Sequence, residues 1–146
     1  MRHHVPWTLL FVLATMALPT RAGSADGVTV TVSQQAYAKG DAVAVTIENA
    51  TGRTIFVPGC HPFEVQGFKE ESYARVAREP CASEGIAKAL EPGSHELTYT
   101  TGEDEGAGIF RISVVYGWGC AEDTPLGRAK CEDFSTVLSG SFRVGG

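Results

Sequence analysis

Apolar residues recur at every second position in this chain, and that spacing limits what it can fold into. In Val28–Val32 each valine is separated from the next by a threonine, and similar alternation appears in 43–47 and 110–116. Successive side chains of a β-strand point to opposite faces, so each segment predicts a strand with one buried and one solvated face. After residue 25, no stretch shows the 3.6-residue period of a substantial helix. The sequence therefore predicts an all-β protein.

Clusters of glycine, proline, asparagine and aspartate divide the predicted strands, and such clusters favour turns. The predictions include a hairpin of 63–68 with 73–77, a connection over 36–41 and one helical turn over 86–90. About seven to eight short antiparallel strands with one apolar face are typical of a β-sandwich rather than a barrel.

Residues 1–25 have the composition of a secretory signal peptide. A basic start precedes an apolar run over 5–18, and the first 25 residues include no acidic side chain. The segments ending at Ala22 and at Ala25 both fit the small-x-Ala pattern of a cleavage site. The run is shorter than the roughly 20 residues that span a bilayer, so we expect a cleaved signal rather than a membrane anchor.

Removal of the signal peptide 1–25 leaves a single acidic domain over 26–146, about the usual size of one domain. Ten lysines and arginines then remain beside 17 aspartates and glutamates, which changes the formal net charge from −5 to −7. Nucleic-acid binding needs clustered lysine and arginine to neutralise phosphates, and no such cluster occurs. The same charge disfavours an anionic membrane surface, so we expect a secreted or periplasmic protein without membrane insertion.

The exported part of the chain carries an even number of cysteines, which predicts a disulfide framework. They are Cys60, Cys81, Cys120 and Cys131. Their order alone leaves three pairings open. A structural metal is the alternative, but no C-x-x-C spacing occurs and only His61 and His95 remain as histidines. We therefore predict neither metal nor cofactor.

Three short motifs lie at predicted turns or strand starts: YAKGDAV at 37–43, LEPG at 90–93 and GIFRI at 108–112. Together they resemble bacterial Ig-like domains, including those of the intracellular-proteinase-inhibitor type. The resemblance covers most of 28–144 and implies an immunoglobulin-like β-sandwich. Its motifs are structural, and no inhibitory residue of that family matches this chain, so it implies a fold more than a function. The export signal also departs from an intracellular inhibitor.

The Ig-like order implies a cysteine pairing. Cys60 would end the third strand and Cys120 the penultimate one, at opposite ends of the sandwich, whereas a disulfide joins Cα atoms at most about 7 Å apart. The resemblance therefore implies local disulfides, Cys60 with Cys81 and Cys120 with Cys131.

The segment 117–134, between the last two predicted strands, is the candidate binding loop. Sandwich domains often place binding residues on such loops, and tryptophan and arginine are frequent in binding hot spots. Its candidate contact residues are Trp118, Leu126, Arg128, Lys130 and Phe134. The alternative, which we prefer, is a long hairpin closed by a disulfide, with Trp118 packed as a lid on the core.

Three further features have an ordinary structural explanation. The acidic segment 103–105 lacks the spaced ligands of a calcium loop and is expected to be a solvated turn. The acceptor pattern at 49–51 matches N-glycosylation, but Asn, Thr and Gly also suit a turn. His61 and His95 are the candidate general bases, yet no short catalytic motif accompanies them. We therefore expect no enzyme activity.

Two functions remain open on these observations. The preferred one is an exported, non-catalytic binding or accessory module whose loops contact a protein or a cell-envelope ligand. The alternative is a proteinase inhibitor that presents the disulfide-clamped loop to a protease.

Overall fold

The computed structural model describes residues 23–82, 86–102, 106–121, 124–126 and 130–145, and the predicted signal peptide lies outside them as far as residue 22. All regular elements in these ranges are β-strands, twelve in number. In chain order they are β1 (Gly23–Ala25), β2 (Val28–Val32), β3 (Ala36–Tyr37), β4 (Ala42–Asn49), β5 (Ile55–Pro58), β6 (Glu64–Lys69), β7 (Ser72–Arg75), β8 (Ala87–Leu90), β9 (Gly93–Thr100), β10 (Gly108–Trp118), β11 (Asp133–Leu138) and β12 (Phe142–Val144). The predicted all-β class is confirmed.

The strands form two sheets. The first has the order β1-β2-β4-β9, and all of its pairs are antiparallel. The second is built around β10, the longest strand. One edge of β10 pairs with β11 and β12, and the other pairs with β6 and β5. Beyond these, β7 pairs with β6, β8 with β5 and β3 with β12.

The hydrophobic core lies between the two sheets, because the alternating apolar residues of both face inward. Its largest fully buried side chains are Tyr116, Phe142, Ile47, Ile55, Ile112, Val28, Val30, Val43, Val45, Val57, Val65 and Val114. On β10 the predicted inward face is confirmed, since Phe110, Ile112, Val114 and Tyr116 all belong to this core. The two sheets therefore form a sandwich.

The outer face of β10 is less exposed than the alternation predicts. Arg111 is partly exposed there, but Ser113, which was also expected to face solvent, is only 3% exposed. Leu138 and Glu64 lie directly opposite Ser113 on the two neighbouring strands. Their longer side chains flank the small serine, so a residue on the solvated face is nevertheless buried.

Several local predictions differ from the structure. Residues 86–90 do not form a helical turn: Ala87–Leu90 is strand β8, because the backbone pairs with β5 along the sheet edge. The connection predicted over 36–41 begins with β3, which pairs with β12 in parallel, so the strands are not all antiparallel. Twelve strands replace the expected seven to eight. β5 and β6 follow one edge of β10 and are separated by an interruption at 59–63, and β11 and β12 follow the other edge and are separated at 139–141. β1, β3 and β8 are short additional strands.

Both predicted disulfides are confirmed. Cys60 pairs with Cys81, with Cα atoms 6.4 Å apart, and Cys120 pairs with Cys131, with Cα atoms 4.0 Å apart. The first joins the interruption between β5 and β6 to the segment after β7. The second closes the connection between β10 and β11. Disulfides of this kind are characteristic of proteins outside the reducing cytoplasm. The described ranges contain no helix long and apolar enough to cross a membrane.

Candidate binding surfaces

The base of the candidate loop is held closed by the sheet and by a disulfide. Trp118, the last residue of β10, pairs with Asp133, the first residue of β11, and the Glu132 amide donates to the Trp118 carbonyl over 2.8 Å. Cys120 and Cys131 then join the two sides. Gly117 is required here: a Cβ on it would lie 2.8 Å from the Cys120 Sγ. Glycine at this position lets the disulfide pack against the strand.

The described segment 124–126 of the loop packs over the second sheet. Leu126 is 6% exposed and packs in a small cluster with Phe56, Ala87 and Cys120. The Ala87 amide donates to the Thr124 carbonyl over 2.7 Å, so this part of the loop is also bonded to β8. On β5, Ile55 and Val57 face the core. Phe56 lies between them in sequence, so its ring points to the outer face of the sheet. Leu126 covers that ring.

The remaining predicted contact residues are divided between core and solvent. Trp118 is partly buried against the core, and its ring meets the Tyr116 ring edge-on with centroids 5.1 Å apart. This arrangement matches the interpretation of Trp118 as a lid. Phe134 is 46% exposed and Lys130 is exposed. Arg128 lies outside the described residues. The structure therefore leaves Phe134 and Lys130 accessible to a partner, whereas Leu126 is committed to packing.

A second candidate surface, not predicted from the sequence, lies on the outer face of the second sheet. The rings of Phe68 and Tyr73 are 5.1 Å apart, at the end of the β6–β7 hairpin. The Arg111 guanidinium carbon lies 3.8 Å from the centre of the Tyr73 ring. Its Nε donates to the Gln66 Oε1 over 2.8 Å, and the Tyr73 and Ser141 hydroxyls are 2.8 Å apart. We call these five residues the outer-face cluster.

Strand pairing brings the outer-face cluster together. Phe68 pairs directly with Tyr73 across the hairpin, and Arg111 pairs with Gln66 between β10 and β6. These positions are up to 45 residues apart in sequence. Alternation alone indicated that Arg111 faces outward, but only the register shows that it reaches the Tyr73 ring. Phe68 remains 44% exposed at the rim of the cluster.

A shallow depression of about 430 Å³ adjoins the outer-face cluster. It is lined by Gln35, Tyr73, Arg111, Leu138, Gly140 and Ser141. The depression lies where the strand pairing of β10 passes from β11 to β12. Ser139 restores the lost pairing there: its hydroxyl oxygen accepts the Ile112 amide, and its own amide donates to the Ile112 carbonyl, each over 2.8 Å. The site thus combines an aromatic rim, a cation and polar walls.

Each of the two candidate general bases has a hydrogen-bond partner on the backbone. His61, between β5 and β6, bonds the Glu79 carbonyl, and His95, on β9, bonds the Glu91 carbonyl. No three of the described His, Cys, Asp and Glu residues are grouped to hold a metal. Burial raises the pKa of the Tyr116 hydroxyl above its usual 10.0, but this group is in the core. The acidic segment 103–105 lies outside the described residues.

The acceptor pattern at 49–51 acts as a turn. Asn49 is 1% exposed, and its Nδ2 donates to the carbonyls of Arg53 and Leu90 over 2.8 and 3.0 Å. Its Oδ1 accepts bonds from the amide and hydroxyl of Thr51. With both amide hydrogens bonded inside the fold, Asn49 organises the connection from β4 to β5 and links it to the end of β8.

The chain was compared with known proteins at three levels. No family model, no curated protein and no solved structure matches it. A proposal for the function therefore rests on the fold, the candidate loop and the outer-face cluster.

Proposed function

We propose that this protein is an exported, non-catalytic Ig-like domain that acts as a binding or accessory module in the cell envelope or the extracellular space. The strand order supports the Ig-like assignment. One sheet carries β2, β4 and β9, the other carries β5, β10, β11 and β12, and β3 crosses to pair in parallel with β12. Exchange of strands between two packed sheets is typical of Greek-key sandwiches. The disulfides differ from the inter-sheet disulfide of antibody domains, since neither involves β4.

The outer-face cluster is the observation that carries the proposed binding function. Aromatic residues and arginine are enriched at the centres of protein interfaces, and here Phe68, Tyr73 and Arg111 lie side by side on a sheet surface. Arg111 is already held by Gln66 and by the Tyr73 ring. Side chains ordered before binding lose less conformational entropy on binding. The surface therefore suits a protein or a cell-envelope ligand.

The disulfides support the proposed location. Each closes a loop within one small domain, 21 and 11 residues apart in sequence. Such bonds persist in secreted and periplasmic proteins and are rare where glutathione keeps thiols reduced. Together with the composition of residues 1–25, they favour export.

Proteinase inhibition by the clamped loop is the second candidate, favoured by the disulfide at the base of the loop. A loop that inhibits a protease must offer an extended segment to the protease cleft. Leu126 is instead buried, and the Thr124 carbonyl is bonded to β8. These contacts make the outer-face cluster the better supported surface.

The experiment compares retention of envelope components from the native host by immobilised wild-type protein and by three variants. Phe68→Ala and Arg111→Ala each remove one side of the outer-face cluster, and we expect retention to fall at least about tenfold, as for a hot-spot residue. Thr98→Ala changes an exposed residue on β9, in the other sheet, and should leave retention unchanged. Equal retention by all four proteins would reject this surface. Stoichiometric inhibition in a panel of extracellular proteases, lost on Lys130→Ala, would support the inhibitor instead.

A further inference from the structure

Residues Gly23–Ala25 form strand β1, although their sequence fits the end of a signal peptide. All three pair antiparallel with 28–30 of β2. The two-residue turn between them is Asp26-Gly27, whose φ angles of 50° and 82° are both left-handed. These are features of a type I′ hairpin, for which Asp-Gly is a favoured sequence. The chain therefore specifies β1 through its own turn.

Contacts outside the hairpin tie β1 to the second sheet. The Tyr116 side chain is fully buried, and its hydroxyl donates to the Ala25 carbonyl over 2.8 Å. Ala25 also packs against the core. Gly23 approaches β11 so closely that a Cβ on it would overlap the Leu138 carbonyl. Glycine fits this position where larger residues would not, so β1 is adapted to its place in the sandwich.

A cut after Ala25 would remove these contacts. β2 would become the edge of the first sheet, and its sequence VTVTV carries neither charge nor proline. Natural edge strands are usually protected by such residues, because an apolar, unpaired edge recruits other chains. The Tyr116 hydroxyl would also lose its acceptor. A cut after Ala22 keeps the edge covered and the bond intact.

We propose that signal peptidase hydrolyses the Ala22–Gly23 peptide bond, so that the mature protein begins with β1. The proposal rests on the proposed export of the protein. Water adds across the bond: its hydroxyl joins the Ala22 carbonyl carbon and its hydrogen joins the Gly23 nitrogen. The products are the released peptide 1–22 and a chain with a free α-amino group at Gly23. Of the two segments that fit the small-x-Ala pattern, this is the one that leaves the sandwich whole.

The test is N-terminal sequencing and intact mass of the full-length chain expressed with its own signal in a bacterial host. Two matched variants each block one site. Ala22→Val and Ala25→Val place a β-branched residue immediately before one of the cuts, where the pattern requires a small residue. We expect both the wild type and Ala25→Val to begin at Gly23. In Ala22→Val the uncleaved precursor should accumulate or the cut should move to Ala25.

Each contrary outcome is distinct. A wild-type protein that begins at Asp26 overturns this proposal and leaves export standing. Retention of Met1 on all of the wild-type protein overturns export as well. Accumulation of precursor in Ala25→Val, with normal processing of Ala22→Val, also overturns the proposal. Because sequencing reads the N-terminus of precursor and product alike, a variant that folds poorly still reports its cleavage site.

Discussion

The β6–β7 hairpin turns through two glutamates in an unfavourable conformation. Lys69 and Ser72 are its closing pair, so Glu70 and Glu71 form a two-residue turn. Their φ angles are 48° and 66°, which places both in the left-handed region. A type I′ turn requires this geometry and is usually built from Asn-Gly or Asp-Gly. Replacing the glutamates by residues that accept the geometry should therefore stabilise the protein.

The expected gain follows from the cost of left-handed backbone. An L-residue with a Cβ atom loses about 1–2 kcal/mol there, and glycine avoids this cost. Glycine also gives the unfolded chain more freedom, which offsets about 0.5–1 kcal/mol of the gain. Glu71→Gly should thus raise the free energy of unfolding by about 0.5–1 kcal/mol. Glu70→Asn should add about 0.5 kcal/mol, because asparagine tolerates this region better than glutamate. In a domain of this size the double variant should melt about 4–6 °C higher.

The assay is urea unfolding, with the midpoint compared at constant m. Ser72→Gly is the matched control, because it introduces glycine one position later, in the strand β7. There glycine adds freedom to the unfolded chain and removes the bond from the Ser72 hydroxyl to the Lys69 carbonyl, and we expect a loss of at least about 0.5–1 kcal/mol. If Glu71→Gly lowers the midpoint as much as Ser72→Gly does, the left-handed turn is refuted.

Three further predictions concern the core and the disulfides. Val114→Ala should cost about 2–3 kcal/mol in urea unfolding, because the side chain is fully buried between the sheets, and a cost below about 0.5 kcal/mol would mean that its face is misassigned. The raised pKa of Tyr116 means that its stabilising contribution is present below pH 10.0 and is lost as pH rises through the folded value. Tyr116→Phe should lower the free energy of unfolding at neutral pH by about 1 kcal/mol, because the bond to the Ala25 carbonyl is lost. In a pH series of urea unfolding, the midpoint of this variant should fall less steeply above pH 10 than the midpoint of the wild type. A parallel fall in both proteins would contradict this. Replacing Cys120 and Cys131 together by alanine should cost about 3 kcal/mol by the loop-entropy model, measured in the same way, and an unchanged midpoint would show that the loop is held by its packing alone.

The sequence alone was sufficient for the elements that depend on local pattern. Alternation in β2, β4 and β10 predicted both the strands and their buried faces, because side-chain direction in a strand follows from position along it. The hairpin of β6 and β7 was predicted from two such runs around a short polar segment. The Ig-like resemblance predicted both disulfides, which the structure confirms.

Tertiary structure decided the elements whose conformation depends on a partner strand. Ala87–Leu90 is a strand because β5 offers it an edge, and Ala36–Tyr37 because β12 does. Neither segment is long enough for its own sequence to show a period. In the same way, Gly23–Ala25 fits a signal peptide by composition but pairs with β2 in the fold.

The same distinction between local pattern and tertiary contact applies to the two candidate surfaces. The clamped loop was predicted from its cysteines and its length, but the burial of Leu126 against Phe56 was not, because that contact joins two segments distant in sequence. The outer-face cluster was not predicted. Alternation assigns a residue to one face of a strand, but it does not show which residues of the adjacent strands lie beside it. The register of β6, β7 and β10 brings Arg111 onto the Tyr73 ring. Sequence period determined which way these side chains point, and strand pairing between distant segments decided what they meet.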